Sequence, residues 1–176
     1  YLAGNDKAVL KHPEKALYRS KDGSIYFKSD APLELIEAKS AKLKGIINPA
    51  EQTYAFTVSN NSFEGFNSAL QREHFNENYM ESLKYPNSTF TGKIIDPVDF
   101  SQNGEYTVRA KGKLNIHGVE QERIIKSVVQ VKDGEVQVHS RFSVLLQDHG
   151  IMIPKIVYQK IAEEIFVEIN AVFVKS

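Results

Sequence analysis

From residue 54 onward apolar and polar side chains alternate with period two, and the clearest run is 105–117. There Tyr106, Val108, Ala110, Gly112, Leu114 and Ile116 share one face, while Glu105, Thr107, Arg109, Lys111, Lys113, Asn115 and His117 share the other. Alternation this long describes a strand with one face on a core and the other in water, as antiparallel sheets present them. His117-Gly118 and Asp133-Gly134 are hairpin signals that divide 105–147 into three long strands, the third turning Val136, Val138, Phe142, Val144 and Leu146 inward. The closing stretch 164–174 alternates Ile165, Val167, Ile169, Ala171 and Phe173 against Glu164, Glu168 and Asn170. Its outer face also carries Phe166, Val172 and Val174, which predicts cover or a partner there.

Earlier in the chain, Asp22-Gly23 separates a short strand at 17–20 from another at 24–29, and Ala31-Pro32 introduces an extended stretch over 33–47. The alternation slips between Leu35 and Ile36, which predicts a bulge or bend at that point. Asn48-Pro49 closes a turn before 52–59, where Tyr54, Phe56 and Val58 share a face. About eight strands with mostly short connections and no βαβ spacing predict an all-β, up-and-down antiparallel barrel. Two helical interruptions are expected to cap or line its opening. One holds Phe66, Ala69 and Leu70, with a further turn at Tyr79, Met80 and Leu83 ended by Pro86; the other runs over 154–162, where Pro154 suits a first helical position and Ile156, Val157 and Ile161 form a stripe.

The 176 residues, 41% hydrophobic and 25% charged, fit one domain that buries its own core, here assigned to 17–176. An N-terminal segment, 1–16, precedes it, and the sequence leaves its order open. The formal net charge is zero, so the field that gathers nucleic acid is missing and no nucleic-acid partner is expected. The absence of cysteine removes thiolate chemistry, disulfides and sulfur-ligated zinc. The longest apolar run, 171–174, falls far short of the roughly 20 residues of a membrane-spanning helix, so no span is expected. The chain begins at Tyr1 with neither an initiator Met nor an apolar leader, and a signal peptide removed upstream is the expectation.

Arg72, His74, Phe75, Tyr79, Tyr85, Pro86 and Phe90 form a series similar to that of the YceI-like family, periplasmic barrels related in shape to lipocalins. Gly112, Leu114, Ile116 and Gly118 resemble the family's hairpin, and Phe142, Asp148-His149-Gly150-Ile151 and the strand from Glu164 extend the likeness over most of 17–174. The family's more usual opening has an early histidine and serine, where this chain has Leu33 to Ala38. The resemblance implies a lipocalin-like barrel in the periplasm or secreted, binding a polyisoprenoid, an isoprenoid quinone or a fatty-acid-like lipid for transport, storage or sequestration, with no covalent chemistry and no cofactor.

The residues point to a lumen independently. Gly92, Ala110, Gly112, Ser127, Ser140 and Ala171 are small residues on predicted inner faces, among Phe56, Phe90, Leu114, Phe142, Val144 and Ile169. Eight strands enclose a space that large side chains just fill, so small residues either leave room for a ligand or lie opposite large ones in a closed core. An open lumen makes these eleven residues, Ser127 apart, the expected ligand contacts, with Arg72, His74, Tyr79 and Met80 at the mouth or head group. The competing classes are an enzyme using the same lumen and a closed scaffold whose apolar outer face meets a protein or a second copy as a homodimer. Neither carries a motif. His74, His117, His139 and His149 stand near Glu73, Glu122 and Asp148 without a ligand frame, so no metal is expected, and Ser140 lacks a glycine-flanked elbow.

Overall fold

The computed structural model describes residues 16–176; of the N-terminal segment 1–16, all but Ala16 lies outside the described residues. Ten strands are present among them: β1 (Tyr18–Asp30), β2 (Leu35–Ser40), β3 (Lys44–Asn48), β4 (Thr53–Ser59), β5 (Glu64–Gly65), β6 (Asn87–Ile94), β7 (Gly104–Ile116), β8 (Val119–Lys132), β9 (Glu135–Leu145) and β10 (Glu164–Lys175). They hydrogen-bond in the order β10-β9-β8-β7-β6-β4-β3-β1-β2-β5, and β10 returns to β1. β2 and β3 behave as one bent strand, because Tyr18↔Ile47, Arg19↔Ile46 and Ile25↔Ser40 keep a single register along β1. With β5 only a two-residue annex on β2, the closed wall has eight antiparallel staves, as the alternation predicts.

The long hairpins follow from local chemistry. His117 and Gly118 have φ of 58° and 73°, and Asp133 and Gly134 have 51° and 85°. Two consecutive left-handed residues match the twist of the flanking strands. Asp22-Gly23 behaves differently and corrects the expected strand break. β1 runs unbroken through it, and its register against β10 shifts so that Phe173 faces Ser20 while Val172 faces Asp22, leaving Lys21 as the extra residue. This bulge reverses which side chains point inward, from Tyr18 to Ile25 and Phe27. The adjoining strand reverses too, with Ile36 and Ala38 buried before the bend and Leu43 and Ile47 after it. The predicted slip thus lies past Ser40 rather than at Leu35, which points outward.

One barrel end is plugged. The loop after β6 folds back so that Val98 and Phe100 are buried, with Phe100 against the Tyr18 ring at 5.6 Å between centroids. Gln52 fastens that loop by donating to the Val98 carbonyl (3.0 Å) and accepting from the Val98 amide (2.8 Å). The opposite end carries α1 (Ala69–His74), which continues as one π-helical turn over Phe75–Tyr79, and the long 146–163 connection. The helix expected over 154–162 is only a 3-10 turn at Lys155–Val157. Its stripe splits: Ile156 is 91% exposed, while Val157 and Ile161 are half-buried. The β8–β9 ladder ends at Ser127↔Ser140. Beyond that point β9 diverges, and the turn at Leu146–His149 spans the gap through hydrogen bonds from Gln121 to the Asp148 carbonyl and between the His149 ring and the Val119 carbonyl. On the outer face Phe166 is partly covered by the Tyr26 ring edge and by the Lys28 ammonium, 5.5 Å from its centroid.

Candidate functional site: a blind apolar cavity

The inner faces of β1, β4, β6, β7, β9 and β10 enclose a cavity of about 510 Å³ reached from the helix-bearing end. Its walls are apolar: Ile25, Phe56, Phe90, Leu114, Phe142, Val144, Ile165, Val167 and Ile169 all border it. Above them an aromatic group closes around the opening. Phe75 of the π turn stacks on Phe27 of β1 (5.4 Å, 19° between planes), and Phe63 and Phe66 pack their rings against both. The polar groups bordering the cavity are mostly engaged already. Asn60 is fully buried, donating to the Tyr85 carbonyl and accepting from the Ser88 hydroxyl, and the Ser29 hydroxyl accepts from the Ala162 amide.

Small residues build the floor. Gly92 and Gly112 face each other across β6 and β7, and Tyr54 spans the space they leave, its hydroxyl donating to the Lys111 carbonyl at 2.9 Å. Burial pushes the Tyr54 phenol upward, so it remains a neutral donor. A methyl group on Gly112 would meet the Thr91 carbonyl oxygen at 2.3 Å and the Tyr54 hydroxyl at 2.7 Å, so no side chain fits. Ser127 and Ser140 bond to each other across the barrel wall at 2.6 Å. Gly45 lies under the Phe173 and Phe56 rings, which meet edge to face. In this half of the barrel small residues accommodate large neighbours, and the tube is blind.

The expected contacts therefore divide by height. Phe56, Phe90, Leu114, Phe142, Val144 and Ile169 border the cavity together with His74, Tyr79 and Met80 at its mouth. Gly92, Ala110, Gly112, Ser140 and Ala171 do not; they belong to the filled half. Arg72 points away from the opening and ties α1 to the preceding loop, donating from Nε to the Phe63 carbonyl (3.0 Å) and from a terminal nitrogen to the Asn61 carbonyl (2.9 Å). The aromatic group of Phe27, Phe63, Phe66 and Phe75 escaped the sequence reading, although three phenylalanines within 63–75 beside a short helix were a visible signal.

The rim is polar and cross-braced. Glu34 accepts from the side-chain amides of Gln71 (2.6 Å) and Asn67 (2.9 Å), joining the loop after β1 to the start of α1. These two donors, with Asn67 the stronger, hold its carboxyl below the usual glutamate range. Leu33 donates its amide to the Gln159 carbonyl, which brings the 155–161 turn to the same edge. Across the mouth, His117 contacts the Glu81 carboxylate through Nε2 (2.5 Å) and the His149 carbonyl through Nδ1 (3.0 Å), with Tyr85 edge-on to its ring. Among the described residues no group of three or more His, Asp or Glu side chains is arranged to hold a metal, and no helix is long and apolar enough to cross a membrane.

No curated protein sequence is significantly similar to the chain. Solved structures share the fold at low identity, among them the following three. A polyisoprenoid binding domain from Saccharophagus degradans, implicated in plant cell wall breakdown, matches with a TM-score of 0.78 and 16% identity over 92% of this chain and 100% of its own. BcnA of Burkholderia cenocepacia matches at 0.70 and 14% over 85% and 95%. A Campylobacter jejuni YceI protein matches at 0.55 and 17% over 100% and 92%. The family model of the YceI-like domain matches residues 24–173, from just past the β1 bulge to near the end of β10, and the chain belongs to that family.

Proposed function

We propose that the protein binds the apolar tail of a long-chain amphiphile, an isoprenoid or a related lipid, in the blind half-barrel and holds it for transport, storage or sequestration. The observation that carries this reading is the cavity itself: about 510 Å³, walled by aliphatic and aromatic side chains and open at one end. That volume lies within the range of about 300–1,000 Å³ usual for ligand sites. Burial of each CH₂ contributes about 0.8 kcal/mol, so roughly twelve carbons offset the middle of the roughly 4 to 15 kcal/mol that association costs. A greasy tail supplies enough affinity without any charged contact. The polar head remains at the rim, near His74, Gln71 and Lys160, where water still reaches it. The polyisoprenoid-binding domain with the same fold supports this ligand class. A location outside the cytoplasm accompanies the reading, and fractionation of the native host checks it.

Native mass spectrometry of the purified protein tests the proposal. The expected result is a mass adduct that releases a long-chain lipid on activation, or, for protein stripped by organic solvent, uptake of an added isoprenoid alcohol. Protein that neither retains a lipid nor takes one up overturns it.

A further inference from the structure

The exposed apolar side chains of the protein are unevenly placed. Among the described residues with large exposed hydrophobic groups, Ile95 alone belongs to a loop at the plugged end, whereas Leu33, Leu70, Ile156 and Tyr158 stand on the three segments that frame the mouth. Those segments are braced as one surface: Leu33 is bonded to Gln159 through the backbone, and Glu34 is bonded to Gln71 of α1. The 151–162 stretch contains Lys155 and Lys160 and no carboxylate, whereas the other two segments carry Glu34, Glu73 and Glu77, and Lys160 stands close enough to Glu34 to lower the pKa of its carboxyl. Ile156 is 91% exposed and Tyr158 63%, although their neighbours Val157 and Ile161 turn inward to line the cavity.

We propose that the 155–160 edge of this rim docks onto the surface of an anionic phospholipid bilayer, with Ile156 and Tyr158 inserted below the head groups and Lys155 and Lys160 at the phosphates. An apolar side chain beside a lysine, together with a tyrosine whose ring is apolar and whose hydroxyl is wet, is the composition that partitions to a membrane interface. Lys155 matches the negative leaflet in charge, Lys160 divides its charge between the leaflet and Glu34, and each contributes modestly within a Debye length of the surface. The placement adds a second argument. The same three segments contribute Glu34, Leu70, Gln71, Val157 and Ile161 to the cavity's lining, so docking there brings the cavity against the acyl layer and spares a leaving tail the passage through water. The inference rests on the tail-binding reading for its purpose, but its test does not.

Full-length protein is mixed with sucrose-loaded vesicles of equal parts phosphatidylglycerol and phosphatidylcholine, sedimented, and quantified. The Ile156→Ser/Tyr158→Ser double variant, neither of whose positions borders the cavity, should partition about tenfold or more weakly, Lys155→Glu several-fold more weakly, and Ile156→Trp more strongly than the unaltered chain. Native mass spectrometry of the same variants should show lipid occupancy unchanged. Failure of the unaltered protein to sediment with these vesicles overturns the proposal, as does equal binding by the double variant. Equal partition onto phosphatidylcholine alone overturns the part assigned to the lysines. Vesicle binding through this loop by a protein that carries no lipid would leave the docking surface standing and remove the tail-binding reading instead.

Discussion

Gly112 shows how a single missing side chain can be read in two ways. Its neighbours in sequence, Ala110 and Leu114, mark it as inward, and an inward glycine in a barrel suggests space. That space is taken by Tyr54, which lies across from Gly92 and reaches the Lys111 carbonyl. Gly112→Ala is therefore expected to destabilise the protein by about 2–4 kcal/mol, because backbone and a buried phenol must both yield; thermal unfolding checks this, and an unchanged melting temperature contradicts the packing described. Glu34 carries a pH dependence of known sign. Its carboxyl is held below the ordinary value in the folded state, so its contribution is complete above the ordinary glutamate range and is lost as pH falls through the lowered value. The side-chain amide resonances of Asn67 and Gln71 should shift in that acidic window, and Glu34→Gln should abolish the shift.

Among the elements, the strands were legible where one face meets a core and the other meets water, as in β4 and β7 to β10, whose boundaries fall within about two residues of the alternation. Asp22-Gly23 was not legible. The dipeptide has turn chemistry, yet β1 is held on both sides by long ladders, and a one-residue bulge satisfies those ladders where a turn would break them. The 154–162 stripe failed for the opposite reason: no wall lies above Ile156 against which a helix could bury it, and a short isolated helix is marginal in water. α1 with its π turn is also short, eleven residues over 69–79, and survives by attachment. Arg72→Ala should remove two of its tethers, raising amide hydrogen exchange across 69–79 while the exchange of β7 and β8 stays as it was. Uniform exchange in that segment would show that the Phe75 stack alone secures it.

For the molecule as a whole, the antiparallel barrel and its family could be read from the order of the alternating segments and their motifs, but the depth of the lumen could not. Depth depends on which large residue covers which small one, and Tyr54, Phe173 and the returning Val98-Phe100 loop are brought to the floor by the tertiary arrangement alone. Filling the open half is accordingly the sharper experiment. Val167→Phe adds a ring to the wall beside Phe27 and Phe142 where a void adjoins it, so the melting temperature should change little while retained lipid falls sharply; unchanged retention contradicts the location of the tail.

The plugged end has a kinetic corollary. On the proposed tail-binding reading, a vessel filled at its back cannot pass cargo from back to front, so loading and unloading would use the same threshold at different times. Donor and acceptor would then take turns, the polar terminus of the cargo would go in last and come out first, and an excess of either partner should slow exchange by occupying the doorway, as expected of a shuttle and not of a conduit.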